Sequence, residues 1–218
     1  MEHFKTTQEA APPFLEVSFS VENETERIDT TLKKYSWYKE KNYDVYLPKN
    51  LDPSVELTAE EIKRYVEQDF DRSFYEQKAI EIKKEWETFG RIFFEKATSN
   101  GISLLPSYEI LLTRYGVGGS YGFPNKILLN VDRKKMETIM RLLPHEMIHL
   151  AIERWIKEYN IPHWTKERIV DLTYSRILDK EVPLQNAPEA GERVQEVFDR
   201  LFPDLKKIII ELSSENIK

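Results

Sequence analysis

The segment Leu143-Pro144-His145-Glu146-Met147-Ile148-His149 constrains this chain more than any other, because it sets three titratable side chains inside an otherwise apolar, helix-periodic stretch. Residues four apart share one face of a helix, so His145 and His149 project side by side with Glu146 next to them. A fold that buries such a helix must give both imidazoles a partner. The H-E-x-x-H spacing is that of two metal ligands with an adjacent carboxylate positioned to act on water. Three of the four histidines, His145, His149 and His163, lie close together in the sequence, a clustering that packing alone does not require, whereas His3 reads as a surface residue.

The chain contains no cysteine, so disulfides and thiolate ligands are excluded and His, Glu and Asp are the only strong metal donors. Eighteen positions after His149, the run Glu167-Arg168-Ile169-Val170-Asp171 places two acids one helical turn apart. One can bind an ion while the other supports a ligand. Glu167 is therefore the expected third ligand, and Asp171 the acceptor of the outward N–H of His145 or His149. His163 is the alternative third ligand. Glu153 fits less well, since one straight helix would set three ligands in a row, and Glu158 is also weaker. Ile152 and Trp155 stand where the longer metzincin motif needs glycine and a ligand, which excludes that class.

On these residues the chain resembles the gluzincin zinc peptidases, the group that includes thermolysin-like and M1-type enzymes. The likeness spans roughly 108–171 and rests on His145-Glu146-x-x-His149, on Glu167-x-x-x-Asp171, and on Trp164-Thr165-Lys166-Glu167 as a W-x-x-E pattern. Arg168 departs from the glycine common in relatives, and the gap after His149 is slightly short. The resemblance implies Zn2+ held by His145, His149 and Glu167, and an edge strand that pairs with an extended substrate.

The chemistry expected of such a site is peptide hydrolysis. Three protein ligands leave a fourth position for water, whose pKa falls toward about 7 on zinc, and Glu146 serves as general base. Tyr174, seven residues after Glu167 on the same helical face, is the expected oxyanion donor, with His163, Tyr121 and Arg176 as other candidates. A metal-binding but non-hydrolytic interaction or regulatory protein on the same scaffold is the competing reading.

The 218 residues, 40% of them hydrophobic, suffice for one sizeable core and lead to the expectation of a single domain over 1–218. Within it we expect a loose tail to about residue 13, a strand and helices over 14–100, the zinc-site core over 101–182 and a C-terminal helical segment over 183–218. The expected class is α+β, mainly helical, with a small mixed or antiparallel sheet packed on the H-E-x-x-H helix. A net charge of −6, from 32 basic and 38 acidic residues, argues against nucleic acid as a partner. No membrane span or signal peptide is evident, so a cytoplasmic protein acting on a peptide or protein substrate is expected.

Locally, Phe14 to Val21 reads as a strand and 25–41 as a charged amphipathic helix, solvated despite its Lys33–Lys41 basic and aromatic mixture. A short strand is expected at 43–47. Capping boxes at Thr58/Glu61 and Ser73/Glu76 predict helices over 59–70 and 74–97. Two strands, 108–115 and 126–131, flank a loop that holds four of the seven glycines and reads as a long hairpin connection. Asp132 is expected to cap a helix from about 133 that Pro144 kinks or restarts. Further helices are expected over 165–178, after a 183–188 loop, and over 205–212.

Overall fold

The computed structural model describes residues 11–180 and 191–214. His3, most of the expected N-terminal tail and the expected 183–188 loop lie outside these. The architecture is α+β and mainly helical, as the sequence pattern implies: among the described residues, eight helices surround one four-stranded mixed sheet.

The strands are β1 (Phe14–Ser18), β2 (Ser107–Thr113), β3 (Gly119–Gly122) and β4 (Lys126–Asn130), in the order β1-β2-β4-β3. β1, β2 and β4 run parallel, and only β3 is antiparallel, against β4. The expected hairpin of β2 with β4 is therefore wrong in sense. The glycine-rich connection forms a strand of its own, β3, and the hairpin is β3–β4. Alternation then fixes the faces. Leu15, Tyr108, Ile110, Leu112, Ile127 and Leu129 are all buried on one face. Gly119 and Tyr121 pair with Leu129 and Ile127, so the edge strand turns both toward that face. β1 ends at Ser18 rather than 21, because Ser20 accepts from the Asn23 N–H and opens α1 (Val21–Lys33).

α2 (Tyr35–Glu40) follows α1, so the expected 25–41 helix starts earlier and is broken near Lys34. The strand expected at 43–47 is reduced to a single bridge between Tyr46 and Gly116. α3 (Ala59–Asp69) carries the Thr58/Glu61 capping box. α4 (Arg72–Ser99) is capped by Asp71, whose carboxylate accepts from the Ser73 and Phe74 N–H groups, rather than by Ser73. Either residue can cap, and Asp71 does so two residues ahead. Pro13 is buried and its carbonyl accepts from the Trp86 indole at 2.9 Å, so the chain is tied down before β1 begins.

α5 (Met136–Glu158) is the central element, packed against α4, α6, α8, β3 and β4. Its cap is Lys135, without a side-chain bond, and Asp132 instead pairs with Arg114 at 3.3 Å. Pro144 lies inside one continuous helix. A proline there costs about 3 kcal/mol, comparable to the gain from burying one or two large apolar side chains, and α5 is buried almost all round. α5 ends at Tyr159, and Asn160 takes a left-handed conformation (φ 48°) that turns the chain within a few residues into α6 (His163–Leu178). α7 (Gly191–Leu201) packs on α6, and α8 (Leu205–Ser214) on α5 and α7. No helix of the described residues is long and apolar enough to cross a membrane.

Candidate metal centre

The tight turn between α5 and α6 folds them into an antiparallel pair, which returns Glu167 to the level of His145 and His149. Three atoms converge. His149 Nε2 lies 3.1 Å from His145 Nε2 and 3.2 Å from Glu167 Oε2, and His145 Nε2 lies 3.4 Å from the same oxygen. Donors around a tetrahedral ion at ~2.0–2.2 Å are separated by about 3.3–3.6 Å, so one edge of this triangle matches and the other two need to widen by only a few tenths of an ångström. Among the described residues these three side chains are the group able to hold a metal. Two nitrogens and one carboxylate oxygen, with no sulfur, suit a divalent transition metal, zinc among them.

The two histidines are supported unequally. Asp171, one turn beyond Glu167, meets His145 Nδ1 at 3.3 Å and so directs Nε2 inward. His149 Nδ1 is buried with no hydrogen-bond partner among the described residues, and its ring is fixed instead by stacking on Tyr121 at 4.7 Å between centroids. Electrostatics follow this split. Burial pulls His145 down, but its bonds to Asp171 and Glu167 outweigh that and carry its pKa up to about 10. Burial holds His149 at about 4, hence neutral. Glu167 is pushed up by its own burial, yet His149, His145 and Lys166 together hold it well below the usual carboxylate range.

Glu146 follows His145 on α5 and is only 5% exposed. Burial raises its pKa to about 7, against the partial opposition of His145. It receives no hydrogen bond among the described residues. A Cβ added at Gly119 would overlap Glu146 Oε1, so the glycine of the edge strand makes room for this carboxylate. Nearby Gly116 is also required: its φ is 77°, and the buried Arg27 guanidinium lies where a side chain would start.

His163, the alternative third ligand, opens α6, but its Nε2 is 2.9 Å from the Tyr43 hydroxyl and its Nδ1 faces the other oxygen of Glu167 at 3.6 Å. Glu153 accepts from the Tyr121 hydroxyl at 2.7 Å and pairs with Lys157 at 3.2 Å. Tyr174 is buried, with Arg141 and Glu137 as its charged neighbours, and Arg176 binds Asp199 of α7. Tyr43 is raised by burial and then by Glu167 and Glu146, and Tyr121 by burial and then by its bond to Glu153, with Glu167 and Glu146 adding less. Tyr121 was one of several candidates from sequence, and Tyr43 was none. Trp37, Tyr43 and Trp164 stack at 5.8 and 6.2 Å beside His163, which gives Trp37 of the 33–41 segment a packing role. No protein-family model, curated protein or solved structure matches this chain.

Proposed function

We propose that this protein is a zinc-dependent hydrolase of peptide bonds, with His145, His149 and Glu167 as ligands and Glu146 as general base. The observation that carries the reading is the triangle of Nε2, Nε2 and Oε2 atoms, 3.1–3.4 Å on a side, with an unbonded glutamate beside it. When bound, zinc supplies Lewis acidity for the scissile carbonyl and for the attacking water. Asp171 would keep the proton on His145 Nδ1, so that the Nε2 proton is the one an incoming ion displaces. Glu146, without a hydrogen bond among the described residues, would take a proton from water and pass it to the departing amine.

β3 ends the sheet, so one of its edges has no strand partner among the described residues and offers a row for an extended peptide to pair with, and Gly119 on that strand abuts Glu146. Its register would bring a docked backbone alongside the base. The substrate on this reading is a peptide or protein.

Glu146→Gln keeps the shape of the side chain and removes its basicity. It should retain zinc at wild-type stoichiometry and lose roughly 10²–10⁴-fold in peptide turnover, measured on a peptide library with chelator controls. Wild-type zinc binding without chelator-sensitive cleavage would instead favour a non-hydrolytic metal-binding role.

A further inference from the structure

The two oxygens of Glu167 have different surroundings, and the difference assigns work to residues outside the ligand set. Oε2 faces the histidines. Oε1 faces Lys166 Nζ at 3.4 Å and His163 Nδ1 at 3.6 Å. Each of these is backed by a tyrosine from another part of the chain. Lys166 Nζ donates to the Tyr121 hydroxyl of β3 at 3.2 Å, and the Tyr121 hydroxyl donates in turn to Glu153 of α5 at 2.7 Å. On the other side, His163 Nε2 lies 2.9 Å from the hydroxyl of Tyr43, in the segment after α2.

We infer that Lys166 and His163 are positioning residues that hold Glu167 Oε1 away from the metal, so that Glu167 binds through Oε2 alone. A carboxylate can grip a cation with one oxygen or with both, and the second mode would fill a coordination position that an open site keeps for water or substrate. A cation and an imidazole on Oε1 oppose rotation of the carboxyl group into the two-oxygen mode. Lys166 does this from a constrained place: its side chain is 16% exposed and its ammonium also lies over the Tyr121 ring at 5.3 Å. Because Tyr121 stacks on His149, removing the lysine loosens one side of the carboxylate without removing a ligand.

The inference rests on the proposed metal site, and cobalt(II) separates the two. Four-coordinate cobalt absorbs strongly in the visible, and a fifth ligand weakens those bands. The purified full chain, stripped of metal and titrated with CoCl2, should give intense bands for wild type. Lys166→Met, which keeps length and drops charge, should lose most of that intensity, Lys166→Arg should restore it, and Tyr121→Phe should shift it in the same direction as Lys166→Met but less. Circular dichroism establishes that each variant is folded, and if Lys166→Met is not, Tyr121→Phe carries the comparison. Bands in the folded variants that match wild type would overturn the inference while leaving the metal site standing. Absence of cobalt binding by wild type would overturn both.

Discussion

Two buried glutamates, Glu24 on α1 and Glu146 on α5, show how the same burial is turned to different ends. Glu24 is fully buried and Glu146 5% exposed, and burial raises the pKa of each. Around Glu24 the fold supplies donors from three elements: the Tyr75 hydroxyl, the Thr113 hydroxyl and the Arg114 N–H, the last at 2.7 Å. Around Glu146 it supplies none among the described residues, only the charges of His145, Glu167, Lys166 and Arg27 and the missing side chain of Gly119. A saturated carboxylate joins helix, sheet and loop. An unsaturated one beside three converging ligand atoms is, on the proposed reading, left free to exchange a proton.

Breaking the saturated end should have the largest effect on folding. Glu24→Ala leaves two hydroxyls and a backbone N–H buried without their acceptor, and should lower unfolding free energy by about 3 kcal/mol in urea titrations. At the open end, Gly119→Ala pushes a methyl group into Glu146 and should cost stability little. It should reduce kcat on the order of a hundredfold while zinc stoichiometry holds, because the base is displaced by a fraction of an ångström to an ångström. Asp171→Asn acts more gently, weakening zinc affinity about tenfold in competition titrations through the tautomer of His145.

The smallest effect is a pH dependence. The folded pKa of Glu24 lies above its unfolded value near 4.5, so the native state holds this proton more tightly. Its contribution to stability is complete below pH ~4.5 and fades as pH rises through the folded value. Glu24→Gln cannot ionise, so the difference in urea midpoint between wild type and this variant should drift against wild type from acid toward neutral pH. A constant difference would place Glu24 outside the titrating set.

The contrast also explains what could be read in the sequence. His145, His149, Glu167 and Asp171 follow from helical spacing, and the structure brings all four together because each pair lies one turn apart and Asn160 reverses the chain between them. The mixed sheet was legible as strands but not in its pairing: two strands eleven residues apart in sequence read as a hairpin, and only β3 edging in beyond β4 makes them parallel. Tyr121, Lys166 and Tyr43 depend on that same register and on packing between distant segments, which no local periodicity encodes. The lysine beside Glu167 and the alternation of Gly119 with Tyr121 were the signals available. Asp132 misled for a different reason, since an ion pair with Arg114 engaged a residue suited to capping, and Pro144 does not restart a helix because tertiary burial outweighs a local breaker.

Whether one zinc ion sits between His145, His149 and Glu167 can be read from a crystal structure of the zinc-soaked protein, with anomalous differences collected across the zinc edge. A single strong peak is expected within about 2.0–2.2 Å of His145 Nε2, His149 Nε2 and Glu167 Oε2, with Lys166 and His163 on the other carboxylate oxygen. A peak bound by His163 in place of Glu167, or no peak between α5 and α6, would rule this ligand set out.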